Sequence, residues 1–166
     1  MRGALLLGDQ KIREQHEQLK GMIKLAKRLV FIGNGGSFQG HMAHDFLKVG
    51  NKPTITPDSP SLLTCLFNDY EKEWVYTEWL KRIWQSGDLL IAVSSSGKSE
   101  NIVRAVRWNR DMVFGFPITI TGFEKDNPVS KEGFLNVWFN TKSYGIHECY
   151  TQIFLHSILD DLVGEA

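Results

Sequence analysis

Four serine hydroxyls fall within six residues, at Ser94, Ser95, Ser96 and Ser99, around Gly97 and Lys98. They follow an apolar run at 89–93 and precede an amphipathic helical pattern, so they sit where a buried strand turns into a helix. A helix N-terminus carries free N–H groups and the positive end of the backbone dipole, and it attracts anions. Hydroxyls around it add neutral donors, which makes this turn a phosphate cradle. Helix capping accounts for one of these serines and leaves the others unexplained. The tail Gly97-Lys98-Ser99 matches the end of a nucleotide P-loop, but that pattern requires glycine where Ala92 stands. The turn therefore suits a compact phosphoester better than a nucleotide.

A second turn, Gly33-Asn34-Gly35-Gly36-Ser37, ends the apolar run at 29–32. A dinucleotide fingerprint would need a third glycine at Phe38, so that reading is weak. The glycines still permit close approach of a ligand to the backbone. Just beyond, His41 and Asp45 stand at i, i+4 on one helix face. They are an acid/base pair, two metal ligands, or a surface pair worth about 0.3–0.5 kcal/mol, and spacing alone favours the last. His44 points elsewhere. Near the C-terminus stand His147, Glu148 and His156, the last in an otherwise apolar stretch. Glu148 and His156 are eight residues apart, a rise of roughly 12 Å on a straight helix. Three arrangements stay open: the helix begins after Glu148, the two residues serve different subunits' sites, or only one of them acts.

The elements that must position these groups alternate. Helical spacing covers about 9–28, 38–49, 71–85, 100–110 and 146–163, and 62–67 reads as a helical turn. Strands are expected at 29–32, 52–56, 88–93, 118–121 and 134–139, with a loop at 126–133. Central strands that are apolar throughout indicate a parallel sheet covered on both faces, and such sheets bind ligands beyond their carboxyl ends. The first helix is polar enough to need another subunit or the sheet as a neighbour, and His16 reads as a solvated histidine on it. The five tryptophans read mainly as packing bulk.

The 166 residues suit one domain, 1–166. Nineteen basic and nineteen acidic side chains cancel, which removes the case for a nucleic-acid binder acting by general attraction to phosphate. Cys65 and Cys149 are isolated, so a disulfide framework is not expected and a reducing cytoplasm is the default compartment. No apolar run is long enough for a membrane span, and the patch near the N-terminus is too short for a secretory signal.

With the turns at 33–37 and 87–102 go the stretches 62–70, 120–123 and 144–156. Together they resemble the sugar isomerase (SIS) domains and, within them, the phosphoheptose isomerases. The resemblance implies an α/β three-layer αβα sandwich with a five-stranded parallel sheet. It implies a homo-oligomer, a tetramer with sites at subunit interfaces, in which the first helix packs. It implies isomerisation of sedoheptulose 7-phosphate to the aldose heptose 7-phosphate for lipopolysaccharide or other surface glycans. The family's phosphate-binding serines fall on Ser37, Ser94, Ser95, Ser96 and Ser99, and its sugar contacts on Asn34, Gly35, Gly36, Asn68 and Asp69. Its acid/base pair falls on Asp45 and His156, and its metal ligands, for Zn²⁺, on His41, Asp45, Glu148 and His156. Departures are a segment two residues shorter between Ser37 and His41, Asp45 for the usual Glu, Glu148 for Gln, and Thr151 where many relatives carry His. Without the gap, Ala43 and Leu47 would take the functional positions, and neither can do the chemistry. The other reading is a non-catalytic SIS module that binds a sugar phosphate or a protein partner such as a replication initiator.

Overall fold

The computed structural model describes residues 9–35 and 39–164, so Gly36 and Ser37 lie outside the described residues. Five strands, β1 (Arg28–Gly33), β2 (Thr54–Ile55), β3 (Asp88–Ser94), β4 (Ile118–Thr121) and β5 (Leu135–Trp138), form one sheet. All pairings are parallel, in the order β2-β1-β3-β4-β5. Seven helices join them: α1 (Gln10–Leu25), α2 (Gln39–Lys48), α3 (Pro60–Asp69), α4 (Val75–Ile83), α5 (Glu100–Arg110), α6 (Pro128–Glu132) and α7 (Tyr144–Val163).

Strand β3 shows why the layers form. Its side chains alternate between two cores. Leu89, Ile91 and Val93 pack in a cluster with Leu19 and Ile23 of α1, Met42 and Phe46 of α2, and Phe154 and Ile158 of α7. Leu90 and Ala92 face the other way, into a cluster with Trp79 and Leu80 of α4, Ile102 and Val106 of α5, and Val129 of α6. A strand with water on one face would show polar residues at every second position; β3 has none between Leu89 and Val93.

Helix α1 is held by the same burial. Sixteen residues of mostly polar sequence are marginal as a free helix. Burying Ile12, Leu19 and Ile23 stabilises it by about 1.5–3 kcal/mol each. Its neighbours within the chain are α7 and β5. His16 is thereby a correction to the sequence expectation: it is 3% exposed, its Nε2 lies 3.1 Å from Ser157 Oγ, and its ring meets the edge of Phe154. A polar neighbour on α7, invisible from α1 alone, makes that burial tolerable.

One expected helical turn extends into a full helix, and one expected loop contains a helix. The 62–67 turn is the middle of α3, which starts with Pro60 behind the cap Ser59. The expected loop at 126–133 contains α6, capped by Asn127, whose side chain accepts from Ser130 N at 2.8 Å. In both, a cap-proline pair starts a helix too short to show periodicity. Trp79 is core, and Trp84 and Trp108 stack edge to face, in keeping with the packing role expected for most tryptophans.

Candidate active site

The order β2-β1-β3 places a topological switch between β1 and β3, where successive connections leave to opposite sides and a crevice opens at the strand ends. Gly33 and Val93 are register partners there, so both turns start side by side. The first turn is anchored at the Gly33 carbonyl, which accepts from Tyr76 Oη at 2.5 Å and Gln39 Nε2 at 3.0 Å. Burial pushes the Tyr76 phenol up to about 12, so it remains a donor at all ordinary pH. The two turns are tied by a reciprocal amide pair: Asn34 Nδ2 donates to Asn101 Oδ1 at 3.0 Å, and Asn101 Nδ2 donates to Asn34 Oδ1 at 2.8 Å.

The serine turn is only partly committed to internal bonds. Ser94 is 6% exposed, and its Oγ has no hydrogen-bond partner among the described residues. Ser96 Oγ accepts from Lys98 N at 3.3 Å. Ser99 occupies the N-cap of α5 but makes no side-chain cap bond, so capping does not explain its hydroxyl. Ser95 Oγ lies 2.9 Å from His147 Nδ1. Gly97 has φ +64°, and a Cβ there would lie 2.0 Å from Asn127 Oδ1. The turn thus packs directly on α6.

A cavity of about 390 Å³ opens beside these turns, lined by Asn34, Phe67, Lys72, Glu73, Ser99, Glu100 and Asn101. That is within the roughly 300–1,000 Å³ of small-ligand sites. Phe67 brings the C-terminal end of α3 to its rim. Asn68 and Asp69 follow on that end, exposed, with Asn68 Nδ2 donating to Asp69 Oδ1 at 2.9 Å.

The histidines and the aspartate converge. Asp45 Oδ2 lies 3.1 Å from His41 Nε2 and 3.0 Å from His156 Nε2, and the two rings meet edge to face at 5.5 Å. Helices α2 and α7 of the same chain make this cluster, so His156 reaches Asp45 without a second subunit. Ala43 is in the core and Leu47 is exposed, whereas Asp45 and His156 are half-buried. His44 turns away to Asp58. Glu148 is not in this cluster. Helix α7 runs unbroken from Tyr144, so the option of a helix starting after Glu148 is removed.

His156 Nδ1 faces the Gln152 carbonyl at 3.0 Å, and a carbonyl only accepts, so Nδ1 carries a proton. In the neutral ring Nε2 is then a bare acceptor pointed at a carboxylate oxygen. A shared proton or a metal ion on that axis would satisfy both atoms. Two imidazole nitrogens and one carboxylate oxygen, all within 4.8 Å of one another, form a donor set suited to Zn²⁺. The residues therefore fit a metal, with Glu148 outside the set. The other group of this kind among the described residues, His16, Glu17 and Asp161, already holds the Lys20 ammonium between its two carboxylates.

Sequence reasoning gave His147 no role and passed over Asn101, Tyr76 and Asn127. His147 had one legible signal, a histidine on a helix face that is otherwise core. It is fully buried, and burial pushes its imidazole down to about 4 against a smaller opposing effect of the Thr121 backbone. The unfolded chain takes up this proton near pH 6.5 and the folded chain only near 4. His147 therefore contributes stability above pH 6.5 that is lost as pH falls from 6.5 to 4. The full effect is on the order of 3 kcal/mol. Chemical denaturation followed across that range is expected to show the loss in the native protein and to show a flatter profile in His147→Leu.

The sheet order, the paired turns and the serine cradle define a sugar isomerase domain. A phosphoheptose isomerase from Campylobacter concisus is 32% identical over 127 residues, covering 64% of this chain and 67% of the relative. One from Cytophaga hutchinsonii is 30% identical over 118 residues, covering 67% and 61%. The phosphoheptose isomerase structure from Neisseria gonorrhoeae superposes with a TM-score of 0.78 at 19% identity, covering 93% of this chain and 90% of that one. The chain belongs to the phosphoheptose isomerase family. It spans about half to two-thirds of the length of the curated relatives it matches. No protein-family model matches it.

Proposed function

We propose that the protein is an aldose–ketose isomerase that converts sedoheptulose 7-phosphate to D-glycero-D-manno-heptose 7-phosphate, a step toward surface glycans. The observation that carries this reading is the single Asp45 oxygen held between two imidazoles, within the domain that bears the serine turn. Such a cluster has no packing role that an apolar pair would not fill more cheaply.

The reaction moves one proton between adjacent carbons. A base takes a proton from C1 of the ketose, electrons shift to give an enediolate across C1 and C2, the O1 proton is relayed to O2, and C2 is reprotonated. O1 becomes the aldehyde oxygen. Asp45 and His156 are the acid/base pair in this scheme, since they already share a hydrogen-bond axis and can hand a proton along it. Ser94, Ser95, Ser96, Ser99 and Ser37 hold the phosphate, and Asn34, Gly35, Gly36, Asn68 and Asp69 hold the sugar. Fixing the phosphate at a distance orients C1 and C2 against the acid/base pair. A Zn²⁺ held by His41, Asp45 and His156 would instead take the place of the proton on that axis, polarise the carbonyl and steady the negative charge on oxygen. Glu148 joins such a site only across subunits in this scheme.

Oligomer formation is part of the proposal. Val49, one turn beyond Asp45, and Ile153, one turn before His156, are 46% and 44% exposed. Apolar side chains beside a charged cluster support a second copy covering this end of the molecule. No helix among the described residues is long and apolar enough to cross a membrane, and the cytoplasm is the compartment proposed.

The test is incubation with sedoheptulose 7-phosphate, with and without a chelator, reading the aldose product. Turnover supports the isomerase, and chelator-sensitive turnover supports the metal. Binding without turnover at high protein concentration would instead identify a sugar-phosphate-binding module.

A further inference from the structure

His147 is not among the groups that hold substrate or move protons in the scheme above, yet it is the most completely buried titratable side chain near the serine turn. It is 0% exposed. Its Nδ1 meets Ser95 Oγ at 2.9 Å, while its Nε2 has no hydrogen-bond partner among the described residues. Space is kept for it: a Cβ on Gly122 would lie 2.7 Å from His147 Cδ2, and the edge of the ring meets Phe139. The Gly122 N–H in turn donates to the Ser95 carbonyl at 3.0 Å. Strand ends β3 and β4 and the first turn of α7 are thus locked around one imidazole and one serine.

A purely structural partner for this pocket would be apolar, because a buried ring nitrogen without a partner costs stability. Ser95 Oγ meets one side-chain partner in the fold, the imidazole, which leaves its remaining hydrogen-bonding capacity for a ligand. We propose that His147 is a positioning residue for phosphate: it fixes Ser95 Oγ and, in the ligand-bound protein, donates to it from Nδ1–H so that the Ser95 hydroxyl proton points to a phosphate monoester.

The donor order follows from what each group offers. A phosphate dianion only accepts, so Ser95 must donate to it. With its one proton spent outward, Ser95 Oγ accepts from His147, and the imidazole carries its proton on Nδ1. Nε2 is then a bare acceptor. Thr151, one turn along the same helix, carries a buried hydroxyl that likewise has no partner among the described residues. The order of donors runs from His147 through Ser95 to the ligand. The opposite tautomer would draw the Ser95 proton inward and present oxygen lone pairs to an anion.

This inference rests on the reading of the serine turn as the phosphate site, and its test separates the two. Inorganic phosphate and sedoheptulose 7-phosphate serve as probes, read by calorimetry with the native protein, His147→Leu and His147→Asn. If the native protein binds neither probe, the phosphate reading itself fails. If it binds, His147→Leu is expected to weaken both probes by a similar factor, about ten-fold, with KM raised and kcat changed less than two-fold. His147→Asn, whose amide nitrogen can take the place of Nδ1, is expected to recover most of the loss. Nitrogen NMR of the imidazole in the phosphate-bound native protein is expected to show Nδ1–H, and this measurement stands even if the leucine variant does not fold. Unchanged affinity in a folded His147→Leu, a fall in kcat without a rise in KM, or an Nε2–H imidazole in the bound state each overturns the proposal.

Discussion

Asp45→Asn is expected to bind sugar phosphate nearly as well as the native protein and to turn it over on the order of 10²–10⁴ more slowly. The substitution keeps the shape of the side chain and removes its charge and its basicity. Two imidazole Nε2 atoms, at 3.1 and 3.0 Å, would then face an amide. The amide cannot accept a proton from carbon, nor can it serve as an anionic ligand between the rings. Metal uptake, measured on the purified protein, is expected to fall with activity. The fold is expected to survive, because Asp45 and both histidines are 27–51% exposed, and ion pairs at such exposure contribute about 1 kcal/mol or less. Steady-state kinetics beside a denaturation curve separates the outcomes. A variant that retains native kcat removes Asp45 from the chemistry, and one that loses kcat only in proportion to folded protein does the same.

Gly97→Ala is expected to damage both stability and phosphate binding, for two reasons that can be separated. The residue has φ +64°, and a non-glycine residue there costs about 1–2 kcal/mol. In addition, its Cβ would overlap Asn127 at 2.0 Å, and forcing atoms into a packed site costs typically about 1–3 kcal/mol. Asn127 cannot simply swing aside, because its side chain caps α6 and its amide donates to the Glu124 carbonyl at 2.8 Å. The displaced turn carries Ser94, Ser95, Ser96 and Ser99, so KM is expected to rise at least ten-fold. Pairing the change with Asn127→Gly removes the overlap and keeps the backbone cost. The double variant is therefore expected to be less destabilised than the sum of the two single changes. Strict additivity in thermal or chemical denaturation would mean that the turn does not rest on Asn127.

The serine turn and its glycine show what kind of information is local. Leu89 to Val93 are apolar without a break because both faces of β3 are covered, and that burial is visible as composition. Gly97 and the four serines mark a strand-to-helix turn because backbone sign and free helix N–H groups act within a few residues. The serine-rich strand-to-helix turn was therefore legible. The i, i+4 spacing of His41 and Asp45 was legible too, but it described an ordinary surface pair equally well. What distinguishes it is His156, which arrives from another helix 111 residues away.

The same division runs through the molecule. Sequence by itself determined the order of the strands and of the longer helices, the parallel sheet, the two glycine- and serine-rich turns at strand ends and the family, because each rests on short-range patterns of burial, turn chemistry and capping. Only the tertiary structure decided that Asp45 sits between two histidines, that Asn34 pairs with Asn101 across 67 residues, and that Ser95 meets His147 across 52. It also decided that Glu148 stays apart from the metal-capable cluster, and that His16 is buried against Ser157 across 141 residues instead of facing water. Those contacts depend on how α1, α2, α5 and α7 dock on the sheet. A one-position rotation of a packed helix changes which side chain meets its neighbour, and no local pattern records that rotation.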